Sequence, residues 1–156
     1  QQPRRNIRPA PFKSFKGRTF AAAVSPDSMP VMAKLGVGLL VIPQKPWESV
    51  REDFKVYHQV WNETYGANSA PPDPLCGGFF FVDESADRAE EMAYKYIGRY
   101  YHSVIDHYEL RAGHLGEKKG YEFYENIHKH IASRSGDGAA SDFVRLMPFG
   151  TPDQVI

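Results

Sequence analysis

Two serines stand three positions apart in the segment Ser25-Pro26-Asp27-Ser28, which separates two apolar stretches. A hydroxyl both donates and accepts hydrogen bonds, so neighbouring serines are suited to contact phosphate oxygens. A serine followed by proline and an acidic residue also favours the first turn of a helix. That turn leaves backbone N–H groups without helical partners, and such groups attract anions. The segment predicts either an anion site or a helix cap that binds nothing.

Pro30 leaves the start of this helix open between two positions. If Ser25 is the N-cap, Pro30 falls inside the helix and removes an intrahelical hydrogen bond. If Ser28 is the N-cap, Pro30 lies in the first turn, where no bond is lost. Both alternatives leave backbone donors of residues 27–29 unpaired, at the carboxyl end of the preceding strand. Open α/β sheets and barrels place their binding sites at this end of their strands.

The two apolar stretches predict strands that position this segment. Thr19–Val24 and Gly38–Pro43 lack polar alternation, which is typical of parallel strands covered on both faces. A short helix is expected to connect them, followed by a longer helix over 46–65 that stops at Gly66. The apolar stripe of the longer helix comprises Val50, Phe54, Tyr57 and Trp61.

The remainder of the chain predicts a third strand and two further helices. Leu75–Val82 reads as an apolar strand, in which Gly77 and Gly78 indicate a bulge or a close approach. Helices are expected over 86–109 and 120–132, and a flexible loop over 133–141. The predicted inner residues are Ala89, Ala93, Tyr96, Tyr100 and Val104 in the first of these helices, and Tyr121, Tyr124, Ile127 and Ile131 in the second.

Strands alternating with helices predict an α/β fold with a parallel sheet. Three parallel strands alone would expose apolar edges, so a part of a larger barrel explains the pattern better than a complete open sheet. Residues 1–17 are expected to run as an extended surface segment. Thr151, Pro152 and Gln154 predict a capped helix start shortly before the last residue, and we therefore expect the natural polypeptide to continue.

Composition excludes several classes of function. Lysine plus arginine and aspartate plus glutamate both number 19, so the chain lacks the basic excess that nucleic acid binding requires. The single cysteine, Cys76, permits no internal disulfide and favours a reducing, cytoplasmic location. We expect Cys76 to be a small core residue. The longest apolar run, 37–42, is too short to cross a bilayer, so no membrane partner is expected.

A second group of candidate residues lies near the end of the long helix. Tyr101, His107 and Tyr108 are candidates for a substrate pocket. His102, His107 and His114 do not share metal-ligand spacing, so surface or packing roles are favoured and no metal site is predicted.

Several segments together resemble one protein family. RPAPFKSFKGRTFAAAVSPDSMPVMAKLGVGLLVIPQKPW resembles the mid-barrel segment of the luciferase-like flavin monooxygenases, including its Ser-Pro-acid-Ser turn. FFFVDESADRAEEMA resembles the next strand and turn of that family, and PFGTPDQVI resembles the helix start shortly before its final strand. These segments span nearly the whole chain in the expected order.

The resemblance implies a partial TIM barrel, with about three parallel strands corresponding to strands five to seven. Residues 1–156 are then a single incomplete barrel domain. Its parts are a lead-in over 1–17, strand and helix units over 18–113, and a helical insertion with a truncated helix over 114–156.

The resemblance also implies a cofactor. In the family the serine turn contacts the FMN phosphate, a role that transfers to Ser25 and Ser28, with Asp27 in the same turn. Ile42, at the end of the second strand, is expected to approach the flavin. The catalytic groups of the family commonly lie in the first half of the barrel, so none is named here, and this segment alone is expected to be inactive.

The implied activity is that of a monooxygenase using reduced FMN and dioxygen to oxidise a small organic substrate, with a flavin reductase as a possible partner and a homo-oligomer as the expected assembly. Two alternatives remain open. The first is a deazaflavin-dependent oxidoreductase of the same superfamily. The second is a non-catalytic fragment that needs another chain.

Overall fold

The computed structural model of the protein describes residues 8–134 and 137–156, which divide into two compact units. The first unit comprises 8–41 and 53–75, and the second comprises 42–52 and the described residues from 76 onwards. The strands are β1 Phe20–Ala22, β2 Gly38–Val41, β3 Leu75–Cys76, β4 Phe81–Val82 and β5 Phe149–Gly150. The helices are α1 Ser28–Leu35, α2 Trp47–Tyr65, α3 Ala86–His107, α4 Phe123–Ser133, α5 Gly138–Val144 and α6 Pro152–Val155, with a 3-10 turn at Leu110–Ala112.

The parallel strand pair expected from the sequence is present. β1 pairs with β2 in parallel, with Phe20 opposite Gly38 and Ala22 opposite Leu40, and α1 lies between them in the chain. The sheet order is β1-β2-β3, and a second sheet pairs β4 with β5 in parallel. The predicted α/β fold class with parallel strands is confirmed.

The expectation that these strands are covered on both faces is wrong. Leu39 is fully buried, whereas its neighbour Leu40 and the residue opposite, Ala22, are exposed. Successive side chains of a strand point to opposite faces of a sheet. Packing therefore covers the face that carries Leu39, whereas Leu40 and Ala22 on the other face are exposed.

The helix predicted over 46–65 is confirmed as α2. Tyr57 and Trp61 are buried in the first unit, and Val50 is buried in the second. The helix ends at Gly66, which has a φ of 91° and donates its N–H to the carbonyl of Asn62 at 2.9 Å. This left-handed conformation is available to glycine at little cost, which explains the predicted stop.

The predicted continuous strand Leu75–Val82 is wrong, because the chain breaks it into β3 and β4. The break contains Gly77 and Gly78, whose missing side chains remove the packing that holds a strand together. β3 joins the first sheet, while β4 pairs with β5, where Phe81 lies opposite Phe149. The glycines thus allow one apolar segment to serve two sheets.

The helix predicted over 86–109 is present as α3, but part of its predicted inner face is wrong. Ala89 and Ala93 are buried as expected, whereas Tyr96 and Tyr100 are exposed. The buried face continues through Ile97 and Ile105, four and twelve residues after Ala93. A repeat of four residues keeps side chains on one side of a helix, and it places Tyr96 and Tyr100 beside that stripe rather than in it.

The predicted loop over 133–141 is wrong for its second half. Residues 138–141 belong to α5, whose Ala139 and Ala140 are buried, while 135–136 lie outside the described residues. Small residues and glycine suggested a loop, but alanines pack closely against neighbouring helices.

α4 confirms the helix expected over 120–132, with Ile131 buried, although Tyr121 precedes it and is exposed.

The described part of the lead-in, 8–17, is exposed and irregular, with a turn at Lys16–Gly17.

Near the other end of the sequence, the Gln154 side chain accepts a hydrogen bond from the Thr151 N–H at 2.8 Å, as the predicted helix start requires. Cys76 was expected in the core, and this prediction is wrong. Both residues of β3, Leu75 and Cys76, are exposed. Among the described residues, no helix has the length and apolar character to cross a bilayer.

Candidate functional site

The Ser25–Ser28 segment forms a tight turn that leads into α1. The N–H of Ser28 donates to the carbonyl of Ser25 at 3.0 Å, and the N–H of Met29 donates to that of Pro26 at 3.1 Å. α1 begins at Ser28, with Asp27 at the N-cap position in helical conformation and without a side-chain cap bond. Both predicted caps, Ser25 and Ser28, are therefore wrong, because the turn bonds extend helical geometry back to Asp27 while residues 25 and 26 stay outside the helix.

This geometry changes the set of donors that the turn offers. Two of the backbone donors expected to be unpaired, those of Ser28 and Met29, are engaged in the turn. Pro30 is the third residue of α1, where an N–H has no intrahelical acceptor, so the proline costs no helical bond. Anion binding at this turn therefore depends mainly on side-chain hydroxyls.

The two serine hydroxyls form a pair. Ser25 Oγ and Ser28 Oγ lie 2.8 Å apart, both half-buried, at the carboxyl end of β1. Either hydroxyl can donate to the other, and the second hydrogen then remains available for an external acceptor. Asp27, in the same turn, is exposed. The turn thus brings Ser25 and Ser28 together, and their role towards a cofactor remains a prediction.

Ile42 lies directly after β2 and belongs to the second unit. Its side chain is exposed, and a Cβ placed on Gly77 would lie 3.9 Å from its Cγ1. An exposed apolar side chain after a parallel strand is compatible with contact to a planar ring, and this role also remains a prediction.

Tyr101 occupies a different environment from His107 and Tyr108. The Tyr101 ring stacks on Phe143 with 4.9 Å between centroids and packs against the core of the second unit. Burial raises the pKa of the Tyr101 hydroxyl; the Asp142 carboxylate adds to the rise and Arg111 opposes it. The phenol therefore stays protonated and can donate a hydrogen bond near neutral pH.

His107 and Tyr108 are both exposed at the end of α3, with their rings edge to face at 5.0 Å. They contact each other rather than the core cluster that holds Tyr101. A substrate role for these three residues remains a prediction. His102 Nε2 lies 3.2 Å from Asp137 Oδ1, which is a surface contact of the kind expected. Within 8–134 and 137–156, no group of three or more His, Cys, Asp or Glu could hold a metal ion.

Two tyrosine contacts were not predicted from the sequence. Tyr57, which is fully buried, donates its hydroxyl to the carbonyl of Val37 at 2.9 Å, and Tyr65 donates to the carbonyl of Lys34 at 2.9 Å. Both carbonyls belong to the turn Lys34–Val37, which joins α1 to β2. Residues 57, 61 and 65 are spaced along one face of α2, and this spacing is the signal that could have suggested that the two tyrosines meet the same turn.

A charged cluster in the second unit was also missed. Asp142 accepts hydrogen bonds from Arg134 Nε at 2.8 Å and from Arg134 Nη2 at 2.7 Å. His130 Nε2 lies 3.3 Å from the same carboxylate, and Arg145 Nη1 lies 3.9 Å away. The hydrogen bond from Arg134 is the main cause that lowers the pKa of Asp142. We call His130, Arg134, Asp142 and Arg145 the Asp142 cluster.

Comparison with known proteins places the chain in a family. The sequence pattern of the luciferase-like monooxygenase family matches residues 1–156. The chain is similar to monooxygenase RslO1 from Streptomyces bottropensis, with 20% identity and a TM-score of 0.47 over 98% of this chain. It spans 37% of the length of that protein. No curated protein matches the chain. Because the family pattern extends over all 156 residues, the chain belongs to the luciferase-like monooxygenase family.

Proposed function

We propose that this chain is part of a flavin-dependent monooxygenase that uses reduced FMN and dioxygen to oxidise a small organic substrate. The observation that carries the proposal is the Ser25–Ser28 hydroxyl pair at the carboxyl end of β1, in a chain that matches the family throughout. Parallel α/β folds hold their ligands at this end of their strands. The proposal extends to a cytoplasmic homo-oligomer supplied with reduced flavin by a reductase.

The hydroxyl pair fits a phosphate in its chemistry. Ser25 Oγ and Ser28 Oγ, 2.8 Å apart, can both turn towards one phosphate group, with their mutual hydrogen bond exchanged for bonds to its oxygens. Hydrogen bonds to a charged acceptor are stronger than those between neutral groups, which favours this exchange. Asp27 opposes it electrostatically, and its exposure allows its carboxylate to stay in solvent.

The proposed roles of the other candidates follow from their chemistry. When bound, FMN would supply the redox chemistry with dioxygen. The serine hydroxyls would fix the phosphate end of the cofactor. Ile42 offers an apolar surface to the flavin ring. Tyr101, whose phenol stays protonated, and the exposed pair His107 and Tyr108 are proposed to meet the substrate.

The test compares FMN with riboflavin, which carries the same ring without the phosphate. In the full-length protein, Ser25→Ala should weaken FMN binding by about 1–2 kcal/mol, the loss of a hydrogen bond to a charged group. Riboflavin affinity should not change. Ser103→Ala is the control, because its hydroxyl also makes one local hydrogen bond, to the Tyr100 carbonyl at 2.7 Å, and lies in the second unit.

Three results would count against the proposal. Equal losses for FMN and riboflavin would mean that Ser25 supports folding rather than the phosphate. Binding of a deazaflavin without FMN would favour the deazaflavin-dependent oxidoreductase. Absence of any flavin binding by the full-length protein would favour a non-catalytic role that needs another chain.

A further inference from the structure

The C-terminal end of α1 lies opposite the end that carries the serine pair. The Tyr65 side chain, from α2, bonds this C-terminal end. α1 has eight residues, about 12 Å of helix at 1.5 Å per residue. Helices this short are not stable alone, so tertiary contacts set their position. Met29 and Ala33 are buried and fix one face of α1. Any group that ties its C-terminal end also limits how far Ser28, at its N-terminal end, can move.

The last carbonyls of α1 have well-defined partners. The N–H of Gly36, in left-handed conformation with a φ of 67°, donates to the Ala33 carbonyl at 3.0 Å, and the N–H of Val37 donates to the Met32 carbonyl at 3.1 Å. This is the hydrogen-bond pattern of a Schellman motif. The motif leaves the Lys34 carbonyl without a backbone partner, and the Tyr65 hydroxyl supplies the missing donor at 2.9 Å.

Tyr65 is itself held in place. Its ring lies 4.8 Å from that of Trp61, whose Nε1 donates to Ser69 Oγ at 3.1 Å. A Cβ at position 36 would lie 3.0 Å from the Tyr65 hydroxyl, so the hydroxyl fills the space that glycine leaves. Tyr65 is nevertheless 45% exposed, so the residue is not part of the buried core.

We propose that Tyr65 is a positioning residue for the phosphate end of the cofactor site: by donating to the Lys34 carbonyl it fixes α1, and thereby holds Ser28 beside Ser25. This inference rests on the proposed function and adds to it a residue that does not touch the cofactor. Loss of the hydroxyl should reduce the preference for a phosphate-bearing flavin without changing recognition of the ring.

The test measures the ratio of riboflavin to FMN dissociation constants in the full-length protein. Tyr65→Phe keeps the ring and removes only the hydroxyl, and we expect the ratio to fall by about two- to fivefold, as for one neutral hydrogen bond. Riboflavin affinity should not change. Tyr96→Phe is the control, since Tyr96 is similarly exposed, at 51%, and lies in the second unit.

A double-mutant cycle separates positioning from general stability. If Tyr65 acts through Ser28, Tyr65→Phe should have no further effect on the ratio in a Ser28→Ala background. Additive losses, or an unchanged ratio in Tyr65→Phe, would overturn the inference. If Ser25→Ala and Ser28→Ala lower the ratio while Tyr65→Phe does not, the proposed function stands and only the positioning role fails. If neither serine variant lowers the ratio, the proposed function and the positioning role of Tyr65 both fail.

Discussion

Two junctions of this protein hold short helices by opposite physical means. In the first unit, the turn Lys34–Val37 is held by neutral hydroxyls, those of Tyr57 and Tyr65. In the second unit, α4 and α5 are joined by the Asp142 cluster, where Arg134 makes two hydrogen bonds to one carboxylate. Neutral hydrogen bonds are insensitive to salt and to moderate pH changes, whereas exposed ion pairs respond to both.

The difference bears on where a cofactor site can be built. Burial raises the pKa of Tyr57 above its ordinary value of 10.0, with a further contribution from Tyr65, so this hydroxyl remains a donor throughout the physiological range. The turn that follows the helix bearing Ser28 is therefore anchored by a donor that does not change with pH near neutrality. The Asp142 cluster is solvated, and we expect the α4–α5 junction to loosen in acid or high salt.

The largest expected effect comes from the buried anchor. Tyr57→Phe leaves the Val37 carbonyl without its hydroxyl donor, and we expect the free energy of unfolding to fall by about 1–3 kcal/mol. The loss should be the same at about 0.1 M and about 1 M salt. Denaturant unfolding of the full-length protein at both concentrations measures it, with Tyr96→Phe as the control. A loss that shrinks in high salt would remove the contrast between the junctions.

A smaller effect is expected at the charged junction. Asp142→Asn removes the carboxylate that pairs with Arg134, and we expect a stability loss below that of Tyr57→Phe, because exposed ion pairs contribute little. High salt should reduce this loss. Asp73→Asn, which alters an exposed carboxylate in the first unit, is the control. A loss equal to that of Tyr57→Phe, and independent of salt, would contradict the account.

The smallest effect is the pH dependence of the same pair. The pKa of Asp142 is lowered in the folded state, so its contribution is complete above the ordinary aspartate pKa and disappears as pH falls through the lowered value. The stability difference between wild type and Asp142→Asn should therefore shrink below about pH 4. Thermal unfolding of both proteins from neutral to acidic pH measures this difference. A difference that does not shrink below about pH 4 would mean that the carboxylate is not stabilised by Arg134.

The sequence predicted those parts of the fold in which local signals agreed. β1 and β2 were found because unbroken apolar runs were bounded by clear breaks, α2 was found from its helical apolar stripe, and Gly66 ended α2 as expected. Prediction failed where tertiary contacts decide between local options. Gly77 and Gly78 were identified as weak points, but whether they bend one strand or divide it depends on β5, about seventy residues further along.

The sequence proposed the residues of the candidate site, whose role stays a prediction, but not their bonding. Ser25 and Ser28 were proposed from the serine turn and from the family resemblance, whereas the contact between their hydroxyls depends on a turn that puts Asp27 at the N-cap position. Tyr65 was missed because its partner is a backbone carbonyl distant in sequence. Side-chain identity reveals no such contact, since every residue offers a carbonyl.

Phosphorus NMR of FMN bound to the full-length protein can show whether the serine turn after β1 binds a flavin phosphate. We expect Ser25→Ala to shift the phosphate resonance of bound FMN and Ser103→Ala to leave it unchanged. An identical resonance in wild type and Ser25→Ala, with FMN fully bound in both, would show that the phosphate lies elsewhere.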